Sequence, residues 1–339
     1  MKGSKEGEGS MVKVKMRQAV ILSILAAAVL LGGCSNNTAD KQVNKEVTEP
    51  AETINDAVEA EMSSEELLRE FDKVVSEAET ALQVRQFIDE HIAQAAVEDA
   101  DIMVRGLLDY YEKNLSAAEA SVSESSLQMA LLQADWPVEG DSLEQLEPPH
   151  RKLVQALQDG GYKLETQEGY IYPVVDYGSL QEYKPYITEE LSGYIEVKAL
   201  ESDQRTASDA AIVISWDELA GRALAAEEFV RKYPDSPEYE EVLTLLERYM
   251  AVYLQGLDNT PIYDYQTLGL EEDVRASYTK AATEKPETTV GTIVKGYLDV
   301  LKAADYQVMT GSGVDQQLVP EVKAYQERLK QMIWDHLPS

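Results

Sequence analysis

The stretch SWDELAGRALAAEEFVRKYPDSPEYEEVLTLLERYMAVYLQG, residues 215–256, reads as two helices and the turn between them. Ser215 and Glu218 have the capping-box spacing, in which a hydroxyl and a carboxylate each accept a backbone N–H left free at a helix start. Leu219, Ala223, Ala226, Phe229 and Val230 then recur at three- and four-residue intervals, which places them on one face. Tyr233-Pro234-Asp235 ends that helix, because proline lacks the N–H and crowds the preceding turn. Ser236 followed by Pro237 restarts the pattern as an N-cap with proline at the first helical position. Val242, Leu245, Leu246, Tyr249, Met250, Tyr253 and Leu254 make a second apolar stripe, and Gly256 supplies the stop.

The pattern returns 52 residues later, where Pro286-Glu287-Thr288 matches Pro234-Asp235-Ser236 and Val294, Leu298 and Leu301 match Val242, Leu246 and Tyr249. The turn Lys232-Tyr233-Pro234-Asp235-Ser236 resembles the junction between tetratricopeptide-type helical hairpins over about 216–304. Two departures set it apart: the period is not the family's 34 residues, and the Trp…Leu-Gly…Tyr opening is absent. We therefore expect a helical-hairpin-repeat-like unit over 215–339, closed by a last helix from Val319 to Trp334.

Toward the N-terminus, Ser63-Ser64-Glu65-Glu66 is another capping box, followed by Leu67, Leu68, Phe71, Val74, Val75 and Ala78 on one face. Leu82, Val84, Phe87, Ile88 and Ile92 predict a second helix. Ile102, Val104, Leu107, Leu108 and Tyr111 predict a third, and Leu127 to Leu132 a fourth. Pro137 and Pro148-Pro149 interrupt the pattern, giving an N-terminal helical unit over 63–158. Residues 159–214 form a Tyr-rich mixed segment, with a short β-hairpin turning at Glu168-Gly169, short helices and loops over 176–210, and an exposed loop over Glu201–Asp209. The expected class is mainly α: helical hairpins or a bundle, a small β-hairpin insertion, and a disordered N-terminal tether.

That tether follows a targeting segment. Lys13, Lys15 and Arg17 precede Ala19 to Leu31, 13 uncharged residues, and then Gly32-Gly33-Cys34. The run is shorter than the roughly 20 residues a spanning helix needs, which is signal-peptide anatomy for residues 1–33. Leu31-Gly32-Gly33-Cys34 resembles the lipobox of bacterial lipoproteins, whose cysteine receives diacylglycerol on sulfur before cleavage in front of it. The resemblance implies a membrane-anchored, extracytoplasmic protein with lipidation at Cys34, a diacylglycerol group and an optional N-acyl chain, and no other cofactor. Residues 1–10 are unlike such a leader, so a start at Met11 is expected. Ser35 stands where aspartate would direct inner-membrane retention in Gram-negative lipoproteins. Residues 34–62 are polar, acidic and free of aromatics, the composition of a flexible tether with a reach on the order of 30 Å. Through Tyr233-Pro234-Asp235-Ser236-Pro237 and Gly256-Leu257-Asp258-Asn259-Thr260-Pro261 the body also resembles lipoproteins of Gram-positive bacilli that carry no assigned activity.

Charge narrows the partners. Five of 30 basic and two of 62 acidic residues precede the apolar run, leaving 25 against 60 and a balance of −35 in the remainder. Such a surface repels nucleic acid and anionic lipid, and suits cations or basic peptides; plain solubility explains it as well. With one cysteine no internal disulfide forms, and its place in the lipobox removes it from thiol chemistry.

No motif for chemistry emerges. His91, His150 and His336 have no metal-ligand spacing, and the EF-hand and GxSxG patterns are missing. Gly311-Ser312-Gly313 lacks the Gly-Lys-Ser of a phosphate loop. With 62 acids, carboxylate pairs carry no information. Strands and helices do not alternate as a solute receptor requires. The reading is a non-enzymatic binding module for a protein or cell-wall partner, the alternative a cell-envelope hydrolase or its accessory subunit using unidentified carboxylates. Tyrosine outnumbers phenylalanine 19 to 3, and its apolar body with a polar tip suits grooves that meet partners. Asn259, Tyr263 and Tyr265, with Tyr170 and Tyr172, are the candidate ligand groove; half-buried packing and an ordinary Asn-Thr-Pro turn are the alternative account of the same residues.

Overall fold

Ser63 opens the first helix as its hydroxyl accepts from Glu66 N at 3.4 Å while the Glu66 carboxylate accepts from Ser63 N at 3.2 Å. The computed structural model describes residues 62–337, so the expected signal peptide, the lipobox-like motif and almost all of the expected tether lie outside the described residues. Helix α1 (Ser64–Glu77) buries Leu67 and Phe71. A capping interaction that the sequence reading passed over begins α2 (Ala81–His91), where Gln83 Oε1 accepts from Thr80 N at 3.1 Å.

Helix α3 (Val97–Val122) turns its inner face one residue away from the expected stripe: Met103, Val104, Leu107, Tyr110 and Tyr111 are buried and Ile102 is exposed. The cause is Asp101, drawn inward because it accepts from Thr188 N at 2.8 Å and Thr188 Oγ1 at 2.7 Å. Next come α4 (Ser125–Gln133), α5 (Gly140–Glu144) and α6 (Pro148–Asp159). Pro148 stands in the first turn of α6 and starts a helix as well as ending a pattern.

The hairpin forms as expected, β1 (Tyr162–Gln167) pairing antiparallel with β2 (Tyr170–Val175). Glu168 at φ 50° and Gly169 at φ 78° make the two-residue turn whose twist matches that of the strands. Residues 176–210 are more regular than expected. After a 3-10 turn at Ser179–Tyr183 comes a 15-residue helix, α7 (Glu189–Asp203), capped by Thr188. The expected exposed loop over 201–209 is not one. Glu201 is still helical, and its carboxylate accepts from Thr206 N at 3.1 Å and Thr206 Oγ1 at 2.7 Å, which buries Thr206. A small ribbon follows, β3 (Ala207–Ser208) with β4 (Ala211–Ile212).

Then come α8 (Trp216–Lys232) and α9 (Tyr239–Gln255), the hairpin read first. Only half of the expected box forms: Glu218 N donates to Ser215 Oγ at 3.1 Å, while the Glu218 carboxylate accepts from Arg222 Nη2 at 2.6 Å. Gly256 ends α9 at φ 72°, where an added Cβ would lie 2.6 Å from Thr260 O. The ribbon β5 (Gly256–Leu257) with β6 (Thr260–Pro261) leads to α10 (Glu272–Glu284) and α11 (Thr289–Ala303). The ribbon β7 (Met309–Thr310) with β8 (Gln317–Leu318) leads to α12 (Pro320–Glu327) and α13 (Leu329–His336), two helices where one was expected.

The repeat is thus larger than its sequence echo. Helices α7, α9 and α11 begin at Glu189, Tyr239 and Thr289, 50 residues apart, and a two-stranded ribbon follows each. The ribbons are stitched in series. Asn259 N donates to Ala210 O at 2.9 Å, Ile212 N to Thr260 Oγ1 at 3.0 Å, and Val308 N to Leu268 O at 3.0 Å. One apolar core runs from Leu67 to Ile333 through all three segments drawn from the sequence. A smaller one gathers Val122, Leu127, Leu131, Val138, Leu143, Leu146, Val154 and Ile171. The fold is mainly α with small β-hairpins.

Candidate functional site

Helix α8 packs against α7 on one side and α10 on the other, and its outer face runs along the floor of a groove. The wider part, 630 Å³, lies between α7 and α8. From α7 come Glu189, Ser192, Gly193, Glu196, Val197 and Leu200, spaced as one helical face; from α8 come Ala225, Glu228, Phe229, Lys232 and Tyr233. Gly193 opens the floor, since a Cβ there would touch the Phe229 and Tyr233 rings at 3.5 Å. A second part of 400 Å³ shares Glu228 and Lys232 and continues past Arg231 to Lys285, Glu287 and Thr288.

The charges of this groove are mixed. Lys232 Nζ bonds Glu189 at 3.0 Å across it and lies 5.1 Å from the Tyr233 ring centroid, and Lys184 pairs with Glu196. Hydrogen bonds to Tyr233 and to Glu189 raise the Lys232 pKa above that of an ordinary lysine. Nearby, Lys198 lies 4.8 Å from the Tyr177 ring centroid and bonds Glu241. Burial acts to lower its pKa, but Tyr177 and Glu241 outweigh it and the net shift is upward. A lysine base or Schiff-base nucleophile needs the opposite shift. The groove carboxylates are not an isolated acid–base pair either, since Glu189 and Glu196 are ion-paired and Glu228 is exposed.

The buried charges elsewhere hold elements together. Glu227 accepts from Thr289 N at 2.5 Å and Val290 N at 2.8 Å, closing the N-terminus of α11, and pairs with Arg231 Nε at 2.7 Å. Arg222 donates to Thr206 Oγ1 at 3.0 Å and Glu218 at 2.6 Å, tying α8 to the ribbon before it. Ser126 Oγ lies 3.1 Å from His150 Nε2 and donates to Glu124 at 2.5 Å. A catalytic triad needs the carboxylate on the far ring nitrogen, and His150 Nδ1 has no partner. Nδ1 of His91 and of His336 each meets a carbonyl of its own helix, Phe87 O and Met332 O. Among the described residues no three His, Cys, Asp or Glu side chains gather to hold a metal.

The residues proposed from sequence fall in two separate places: Tyr170 and Tyr172 on β2, Asn259 in the β5–β6 turn with Tyr263 and Tyr265 just after it. Tyr263 and Tyr265 meet edge to face with centroids 5.6 Å apart, and Tyr265 is 64% exposed, its hydroxyl donating to Asp258 O at 3.1 Å. Asn259 is taken up in stitching, its Nδ2 donating to Asp209 O at 2.6 Å. Tyr170 is exposed beside the β1–β2 turn, and Tyr172 is half-buried opposite Glu165. Burial first, then the Glu165 charge, raises the Tyr172 pKa. Among the described residues neither ring stacks on Tyr263 or Tyr265, and none of the five lines the α7–α8 groove. Cys34, Leu31, Gly32 and Gly33 lie outside the described residues. Sequence reading missed the groove because α7 was taken as short helices and loops; the available signal was Gly193 inside a helical stripe. No protein-family model, curated protein or solved structure matches this chain.

Proposed function

We propose that the chain is a lipoprotein, exported and held on the outside of the cell membrane by diacylglycerol on Cys34, whose helical body is a non-enzymatic binding module for a protein or cell-wall partner. The observation that carries the address is Leu31-Gly32-Gly33-Cys34 behind a basic start and 13 uncharged residues. Two acyl chains hold where one is marginal, at about 0.8 kcal/mol per buried methylene. Such an anchor keeps a chain whose residues beyond the apolar run balance at −35 at an anionic surface that would otherwise repel it. Among the described residues no helix is long and apolar enough to cross a membrane. The observation behind the binding role is the 630 Å³ groove with its Phe229 and Tyr233 floor and charged rim.

Metabolic labelling with an alkyne fatty acid tests the address. Cys34→Ser should abolish labelling and leave an uncleaved precursor, and unchanged labelling refutes the anchor. Gly193→Leu tests the groove by filling its floor at a position where a side chain fits the helix. Capture of envelope components by this variant should fall relative to the parent chain. Equal capture removes the groove from the binding role.

A further inference from the structure

A second surface lies on α4, away from the groove. Inward, Leu127 and Leu131 fill the smaller core, and the Gln128 amide bonds Ile171. Outward, Met129 is 55% exposed and Leu132 44%, and Trp136, just past the end of the helix, is 38% exposed. The Trp136 indole N–H donates to Leu131 O at 3.1 Å, which fixes the ring against the last turn of α4 with its polar atom satisfied and part of its apolar surface in solvent. Single exposed apolar side chains are unremarkable, but here Met129 and Leu132 share one short helix and Trp136 is tied to the end of that helix by its indole.

The surroundings of that patch select its partner. From Asn114 to Pro149 the chain has no lysine or arginine, and it carries Glu119, Glu124, Asp135, Glu139, Asp141, Glu144 and Glu147. Of these only Glu144 is in an ion pair among the described residues, with Arg151. Glu124 stands at the start of α4, Asp135 and Glu139 flank Trp136 in the chain, and all three are exposed and without an ion pair among the described residues. Exposed apolar side chains with carboxylates beside them have the makings of an interface core and rim, and the charge sets the sign of what it admits. The geometry points to the surface made by Met129 and Leu132 of α4 with the adjoining Trp136 as a docking site for a basic amphipathic segment of another protein, one that lays an apolar stripe on the three side chains and sets Lys or Arg against the neighbouring carboxylates. A second copy of this chain brings the same negative rim to the contact, and an anionic bilayer is repelled by it. The inference is independent of the α7–α8 groove.

Fluorescence anisotropy of a labelled Leu/Lys peptide of helical period, titrated with the full-length chain, tests it. Oligolysine of equal charge serves as a control, because any cation gathers weakly on so acidic a protein. The Leu/Lys peptide should bind at least tenfold more tightly than oligolysine, and the pair Met129→Ser with Leu132→Ser should remove about tenfold of that affinity. Both positions face away from the small core, and Val314→Ser, at a fully exposed site elsewhere, should change nothing. Equal loss in the Val314 control, or equal binding of the two peptides, overturns the proposal. So does self-association, or flotation with phosphatidylcholine vesicles, that the double substitution abolishes, since either assigns the face to another occupant. Groove capture in the Gly193→Leu comparison is read separately, so the two failures are distinguishable.

Discussion

Replacing Gln128 by alanine should weaken the attachment of the β1–β2 hairpin to α4 by about 3 kcal/mol. The amide behaves as the peptide unit of a neighbouring strand would. Its Nε2 donates to Ile171 O at 2.7 Å and to Val122 O at 2.9 Å, and its Oε1 accepts from Ile171 N at 3.0 Å. Ile171 and Val122 are both fully buried, so water cannot readily replace the lost partner. A buried donor or acceptor left alone costs about 1–3 kcal/mol, and the change leaves three such groups (Ile171 N, Ile171 O and Val122 O) without their partner. Partial relaxation brings the sum down to about 3 kcal/mol. Because the small core is served by few elements, the loss should appear first as local opening.

Hydrogen exchange at the Ile171 amide reads it directly: at about 1.4 kcal/mol per decade, exchange should accelerate about a hundredfold. Gln128→Glu sharpens the test. A carboxylate still accepts from Ile171 N but faces two carbonyls without a proton to offer, and burial with those carbonyls raises its folded-state pKa above the unfolded value of about 4.3. The contribution of this side chain is therefore fully present below that pH and is lost as pH rises through the raised value. The variant should approach the parent at low pH and fall behind it at neutral pH. If Ile171 exchange changes less than about threefold in Gln128→Ala, the edge-closing role is wrong.

Acid should act on the whole body in two stages. Burial opposes ionisation of Glu201 and of Glu238, but Thr206 with Arg248 and Arg222 outweighs it at the first and Arg105 with Ser236 at the second, and both carboxyls end below the ordinary glutamate value of 4.5. Their stabilisation is present above 4.5 and lost as pH falls below it, whereas relief of self-repulsion in so acidic a body stabilises the fold between pH 7 and about 5. Calorimetry should show a midpoint that rises and then falls; a steady decline from pH 7 contradicts the balance. Glu227→Gln should cost about 2 kcal/mol in urea unfolding, since a neutral amide cannot accept equally from Thr289 N and Val290 N, and a loss below about 0.5 kcal/mol assigns the capping of α11 elsewhere. Gly256→Ala should cost about 1–2 kcal/mol or more from φ 72° and the contact with Thr260 O, and an unchanged midpoint refutes the strain.

The helices were legible because their signals are local. The Ser63–Glu66 box, the stripes of α8 and α9 and the Glu168-Gly169 turn each depend on residues within a few positions of one another. What escaped was set at long range. Ile102 fits a helical period as well as Met103 does, and only Asp101 reaching Thr188, 87 positions away, decides which of them faces inward. The Glu201–Asp209 stretch is polar enough for a loop, yet Arg222 and Arg248 from other helices hold Glu201 in place. Two-residue strands carry no periodicity, so the ribbons could not be found by pattern.

The same distinction explains the sites. Aromatic residues in a turn drew attention to Tyr263 and Tyr265, but concavity belongs to pairs of elements, and the groove appears only when α7 lies beside α8. The α4 face is the intermediate case. Met129 and Leu132 were visible in the sequence as part of a fourth helix, and the absence of basic residues from 114 to 149 was equally visible. Neither fact had a direction until Leu127 and Leu131 claimed the inward side. Once they do, Met129 and Leu132 are left facing solvent, and the exposed carboxylates of the adjoining chain give that surface a sign.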